Sequence, residues 1–198
     1  YTGEVLKTSE NSYTVAEISS FQLETVHRFH PVVSAILNIT PDHLNRHHTM
    51  ECYAHTKERI AENQTKDDVC VLNMEDEELY RFGSECKASV VWFSSKRKPD
   101  KGAYLDGDDI RYTDGTQDKL MLNIHDMNLL GTHNYENVCA AIAMTKAVGI
   151  PDDIIIEQVK CFKAVEHRIE YVATKKGVWY YNDSKGTNPE ASVKAIEA

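Results

Sequence analysis

The sequence predicts an α/β fold: a mainly parallel sheet flanked by helices, with a small β insert and the first elements of a second, C-terminal α/β domain. Three observations point there. Short apolar runs alternate with helical stretches through the first hundred residues. A turn-rich stretch carrying two Asp-Gly pairs follows, and a long alanine-rich helical pattern then leads into two more β-prone runs. Strands alternating with helices are the signature of βαβ units, whose strands are buried on both faces.

Taken in order, Ser12 to Ile18 is a β-prone run, and Ser19 and Ser20 are good capping residues for a helix over Phe21 to Val26. Val32 to Ile39 is nearly continuous in apolar character, as a doubly covered strand requires. Thr49 to Asn63 has helical spacing. Asp68 to Asn73 and Ala88 to Phe93 are strands around a short acidic helix, Glu75 to Phe82, with Gly83 as its stop. From Pro99 to Asn123, turns at Asp106-Gly107 and Asp114-Gly115 divide a hairpin or meander insert. His133 to Val148 is a helix ended by Gly149, and Pro151 with Asp152 and Asp153 opens another that runs to about Phe162. Two strands joined at Lys175-Lys176-Gly177 occupy Arg168 to Tyr181, and helix resumes over Asn188 to Ala198. A boundary near Val165 divides residues 1–165 from the start of a second domain at 166–198.

Composition narrows the function. Of 198 residues 41% are hydrophobic, enough for a sizeable core. A net charge of −9 speaks against a nucleic-acid backbone as partner but not against a nucleotide, which backbone amides and a few cations can hold. Five scattered cysteines without a CxxC pair suit neither a disulfide framework nor a thiolate zinc site, and a reducing cytoplasm is the expected compartment. No apolar run approaches a membrane span. Tyr1 in place of an initiator Met, and helical character up to Ala198, suggest a piece of a longer protein.

Chemistry concentrates after the buried strands, where open α/β sheets collect ligands. Glu17 ends the first, and His43 follows the second in Asn38 to Leu44 (NITPDHL); Lys57 lies in the helix segment Tyr53 to Ile60 (YAHTKERI). Each has an ordinary alternative: a solvated strand-end acid, a surface imidazole, a helix lysine pointing to water. His43, His47, His48 and His55 follow no regular zinc-ligand spacing. Asn134 and Asn137 share a face at a helix start, where capping alone would explain them.

Taken together, Glu17 to Glu24 (EISSFQLE), the two segments above, Gly131 to Asn137 (GTHNYEN), His167-Arg168 and Asn182 to Asn188 (NDSKGTN) resemble the Mur ligases across nearly the whole chain. The Ser-Ser-Phe-Gln form of the first motif is similar to the D-glutamate-adding branch. The resemblance implies an ATP-dependent ligase of peptidoglycan precursor synthesis. It would phosphorylate the carboxylate of UDP-N-acetylmuramoyl-L-alanine and let D-glutamate attack the acyl phosphate. Residues 1–165 would be the central ATP-binding domain. Glu17, His43 and a carbamylated Lys57 would hold two Mg²⁺, and Lys57, His43 and Lys185 would be the catalytic set. Asn134, Asn137, His167, Arg168 and Asp183 would bind ATP; Ser19 and Gln22 would face the muramoyl substrate and Thr187 the incoming D-glutamate. Carbamylation needs a neutral amine, so burial must lower the Lys57 pKa.

The sequence also departs from that pattern. The GxxGK[ST] phosphate loop is absent, and Lys185-Gly186-Thr187 has the wrong order to replace it. Asn45 stands where relatives commonly carry Asp. The uridine-binding domain and most of the C-terminal domain are expected outside these residues, leaving the piece itself inactive. Two alternatives are a different ATP-dependent amino-acid or polyglutamate ligase, and a non-catalytic nucleotide-binding module.

Overall fold

A computed structural model describes residue 3 and residues 6–10, 12–163, 165–187, 192, 193, 195 and 196. Its centre is a six-stranded sheet in sequential order: β1 (Val33–Ile36), β2 (Val69–Asn73), β3 (Ser89–Ser94), β4 (Gly102–Asp106), β5 (Asp109–Thr113) and β6 (Asp118–Asn123). The first four run parallel, and β5 and β6 follow as a meander, each antiparallel to the strand before it. The expected insert is therefore continuous with the sheet. Gly102 to Tyr104 pair with Trp92 to Ser94, and Ala103, Ile110, Met121 and Leu122 join the same core as Val71 and Phe93.

Strand β2 shows how the layers form. Val71 faces a core closed by α5 (Thr132–Ala147) and α6 (Asp152–Cys161). Its neighbours Cys70 and Leu72 face the opposite core, with Tyr53 and Ala54 of α3 (Met50–Glu58) and Leu79 of α4 (Glu77–Glu85). Period-two alternation with apolar residues on both faces gives the doubly covered strand that the sequence predicts. Two short helices, α1 (Ser20–Leu23) and α2 (Leu44–His47), precede α3. A separate antiparallel pair, β7 (Glu170–Lys175) and β8 (Val178–Asn182), follows α6. Among the described residues no helix is long and apolar enough to cross a membrane.

Two expectations need correcting, and a third is left open. Ser12 to Ile18 is not a strand, because among the described residues no neighbouring strand forms a ladder with it; Val15 is 93% exposed, and β-prone side chains alone do not hold an isolated strand. Gly83 does not stop α4, which continues to Glu85. A Cβ there would come within 2.3 Å of the Trp92 ring, so this glycine lets the helix approach β3. The helix expected over Asn188 to Ala198 falls largely outside the described residues.

One pair of thiols in the second core gives an early test. The Cys86 thiol, at the end of α4, is pulled down to about 7, first by a hydrogen bond from Cys70, against burial, with help from a backbone hydrogen bond at Ala88. The same contact, with burial, raises Cys70. Only thiolate alkylates. Iodoacetamide labelling at Cys86, followed by peptide mass spectrometry, is expected to reach half its maximal rate near pH 7, while Cys70 stays unlabelled. Equal labelling of both would contradict the geometry.

Candidate functional site

The loops that leave the carboxyl ends of β1, β2 and β3 are tied together by side chains. The Asn73 amide donates to the Leu37 carbonyl (3.1 Å), and the Asp76 carboxylate accepts from the Ile39 N–H (2.7 Å) while capping α4. Lys57 enters from α3. It is half-buried, and its Nζ donates to the Asn38 carbonyl at 3.0 Å and lies 5.1 Å from the centre of the Tyr53 ring. Burial lowers its pKa, opposed by the negative charges of Asp42 and Asp76. Lys57 does not point into bulk water.

Beside this lysine opens a polar cleft of about 560 Å³. Asn38, Asn73 and Phe93 form one wall at the ends of β1, β2 and β3. His133, Glu136 and Asn137 enter from the start of α5, and Arg168, Asp183, Lys185 and Thr187 close it from the β7–β8 side. Five of the sequence-predicted residues thus meet in one cleft, 31 or more positions in the chain separating Asn137 from the other four. Asn38 joins the cleft to Lys57, its carbonyl being the lysine's acceptor. Within the far wall, Asp183 accepts from the Ile169 N–H (3.1 Å) and the Lys185 N–H is held by the His167 carbonyl (3.1 Å). The loop that carries Lys185 is therefore braced before any ligand arrives.

The other expected residues sit elsewhere. Ser19 caps α1 in a reciprocal arrangement: its hydroxyl accepts from the Gln22 N–H, and the Gln22 side chain accepts from the Ser19 N–H at 2.9 Å. His43 is exposed, with a left-handed backbone (φ 52°), and its ring lies 4.8 Å from that of Phe21. Glu17 is exposed two residues before the Ser19 cap. Asn134 caps nothing; its amide donates to the Leu130 carbonyl (2.6 Å) and borders an adjoining apolar cavity of about 550 Å³ between α5 and α6. Asn137 and Arg168 line both spaces. His167 (φ 68°) accepts at Nδ1 from the Asn182 amide (2.8 Å) and does not line the polar cleft.

Of the expected metal residues, His43 and Lys57 are linked through rings. Ser20, Phe21, His43, His47, Tyr53 and Lys57 form a chain of contacts linking the Ser19 turn, the His43 loop and α3. For Mg²⁺ the donor set as it stands does not suffice: among the described residues no three His, Cys, Asp or Glu side chains are arranged to hold a metal ion, and an ammonium at Lys57 would repel one. Sequence reasoning also passed over Asn73, Glu136 and His133. Asn73 ends a buried strand as Glu17 was expected to, so the same rule could have found it.

Comparison with known proteins places these features. The family model described as Mur ligase middle domain matches residues 2–145. The chain is 84% identical, over all 198 of its residues and 44% of the relative, to a UDP-N-acetylmuramoylalanine--D-glutamate ligase of Lachnospira eligens. It is 53% identical, with the same coverage, to one of Lachnoclostridium phytofermentans. Among solved structures it is similar in fold to a MurF ligase of Thermotoga maritima in complex with ADP, with a TM-score of 0.61, 21% identity, and 84% of this chain and 38% of that one covered. The chain thus spans less than half the length of the curated relatives it matches.

Proposed function

The chain belongs to the Mur ligase family, whose middle-domain model matches residues 2–145, and from that premise we propose that it serves an ATP-dependent ligase joining D-glutamate to UDP-N-acetylmuramoyl-L-alanine. The observation that carries this reading is the polar cleft on the carboxyl edge of a parallel sheet, lined by Asn137, Arg168, Asp183, Lys185 and Thr187 and one carbonyl away from a half-buried lysine. The 84% identity to a relative of that name supports the choice of substrates.

In this proposal ATP lies in the cleft. Asn137, backed by Asn134, faces the base with His167 nearby, and Asp183 faces the ribose. Arg168 and Lys185 neutralise the phosphates as charge moves to the acyl phosphate, which is the larger part of the work in phosphoryl transfer. Thr187 receives D-glutamate; Ser19 and Gln22, pre-set by their mutual cap, face the muramoyl-alanine end. The Lys57 amine, kept more often neutral by burial, adds CO₂ and releases a proton, becoming an anionic carbamate with two oxygen donors. Glu17, His43 and that carbamate would hold Mg²⁺, which supplies charge neutralisation at the transferring phosphoryl group. Residues 1–165 act as the nucleotide-binding domain and 166–198 as the start of the D-glutamate-bringing domain, in a cytoplasmic enzyme.

Phosphate release by the full-length protein tests the assignment. ATP hydrolysis is expected to require D-glutamate and UDP-N-acetylmuramoyl-L-alanine together. Release that another amino acid supports equally, or no release at all, would overturn it.

A further inference from the structure

His47 is absorbed by none of the roles above, yet it stands where the first three motifs meet. It is 5% exposed, as is Ser20, whose hydroxyl lies 3.0 Å from His47 Nε2. The other ring nitrogen, Nδ1, is 3.8 Å from the Glu24 carboxylate. Phe21 stacks on the imidazole at 5.7 Å with 7° between planes, and Tyr53 approaches it at 5.2 Å. Both aromatic partners lead to an expected ligand or substrate residue. Phe21 sits inside the Ser19–Gln22 cap and also touches the His43 ring. Tyr53 is one helical turn before Lys57 and lies under its Nζ. The His47 N–H itself bonds the His43 carbonyl (3.1 Å).

We propose that His47 is a positioning residue for the ligase reaction, its two nitrogens and its ring face fixing the Ser19 turn, the His43 loop and the Lys57 helix against one another. The inference rests on the ligase reading above. A buried imidazole is suited to this task in a way an aliphatic residue is not: it offers flat faces to two aromatic rings, a directed hydrogen bond to Ser20 at one nitrogen and a close approach to the Glu24 carboxylate at the other. Glu24 fixes the arrangement further out, since its carboxylate also binds Arg46 (2.8 Å) and its carbonyl accepts from Arg59 (2.6 Å). A small misplacement of reacting groups costs on the order of 10²-fold in rate, so the effect belongs in kcat.

The test uses full-length enzyme, assayed well below the melting temperature of each variant. His47→Phe keeps the ring and loses both nitrogens. It is expected to lower kcat about 10- to 100-fold, with KM for ATP unchanged because the nucleotide cleft shares no residue with this cluster. Ser20→Ala is expected to act in the same direction, and the double variant to be no worse than the more affected single one, as for two residues working through one bond. Wild-type kcat in His47→Phe, or additive losses in the double variant, would show that the imidazole only fills space. If wild-type enzyme releases no phosphate with its substrates, the ligase reading fails instead, and the two failures are distinguishable.

Discussion

Lys57→Arg in the full-length enzyme is expected to reduce kcat by about 10²- to 10³-fold, as much as Lys57→Ala does, because arginine keeps a positive charge but cannot become a carbamate. The amine is held at the Asn38 carbonyl, half-buried above Tyr53, with Asp42 and Asp76 acting on its charge. If the lysine worked as a cation, arginine would retain most of the activity, so an active Lys57→Arg variant would remove the carbamate from the mechanism. The charge state carries a stability consequence of known sign. Burial lowers the folded-state pKa below that of the unfolded chain. The cost of burying the ammonium is therefore fully present below the lowered value and gone above the ordinary lysine value. Stability rises with pH between the two, and Lys57→Met should flatten that rise in urea titrations across the alkaline range.

Gly102→Ala is expected to cost about 4 kcal/mol or more, a large share of what a domain of this size commands. Gly102 opens β4 opposite Trp92, with φ at +145°, and a Cβ there would lie 1.8 Å from the Trp92 carbonyl oxygen. That oxygen is backbone inside the sheet and cannot swing aside. The measurement is the urea midpoint, or soluble yield if the variant does not accumulate. Gly107→Ala is the control: its φ of +61° is also left-handed, but a Cβ meets nothing within 4 Å, so about 1–2 kcal/mol is expected. Equal small losses at both positions would contradict the close approach of β3 and β4.

Most of the sheet was legible because burial on both faces leaves an uninterrupted apolar run, as in Val32 to Ile39 and Val69 to Leu72. The helix ends were legible where a cap is local, as at Ser19, Thr49 and Gly149. What failed was whatever depends on a distant partner. Ser12 to Ile18 has strand composition but, among the described residues, no ladder to join. Gly83 reads as a stop because nothing nearby in the sequence shows the Trp92 ring it must accommodate. The site divides in the same way. The resemblance carried by the GTHNYEN, His-Arg and NDSKGTN segments pointed to Asn137, Arg168, Asp183 and Lys185, but the Asn38 carbonyl that links them to Lys57 is backbone and leaves no mark in the side-chain pattern.

The cleft has walls from two parts of the chain, the strand ends with the start of α5 on one side and the β7–β8 segment on the other. A nucleotide seated there would act as a crossbrace. At a hundred times its dissociation constant a ligand adds about 2.7 kcal/mol to the state that binds it. Here that state is the one with both walls in place. On the proposed reading, occupancy would thus favour the arrangement with the later segment against the sheet, so that the nucleotide would hold the two walls together as well as react.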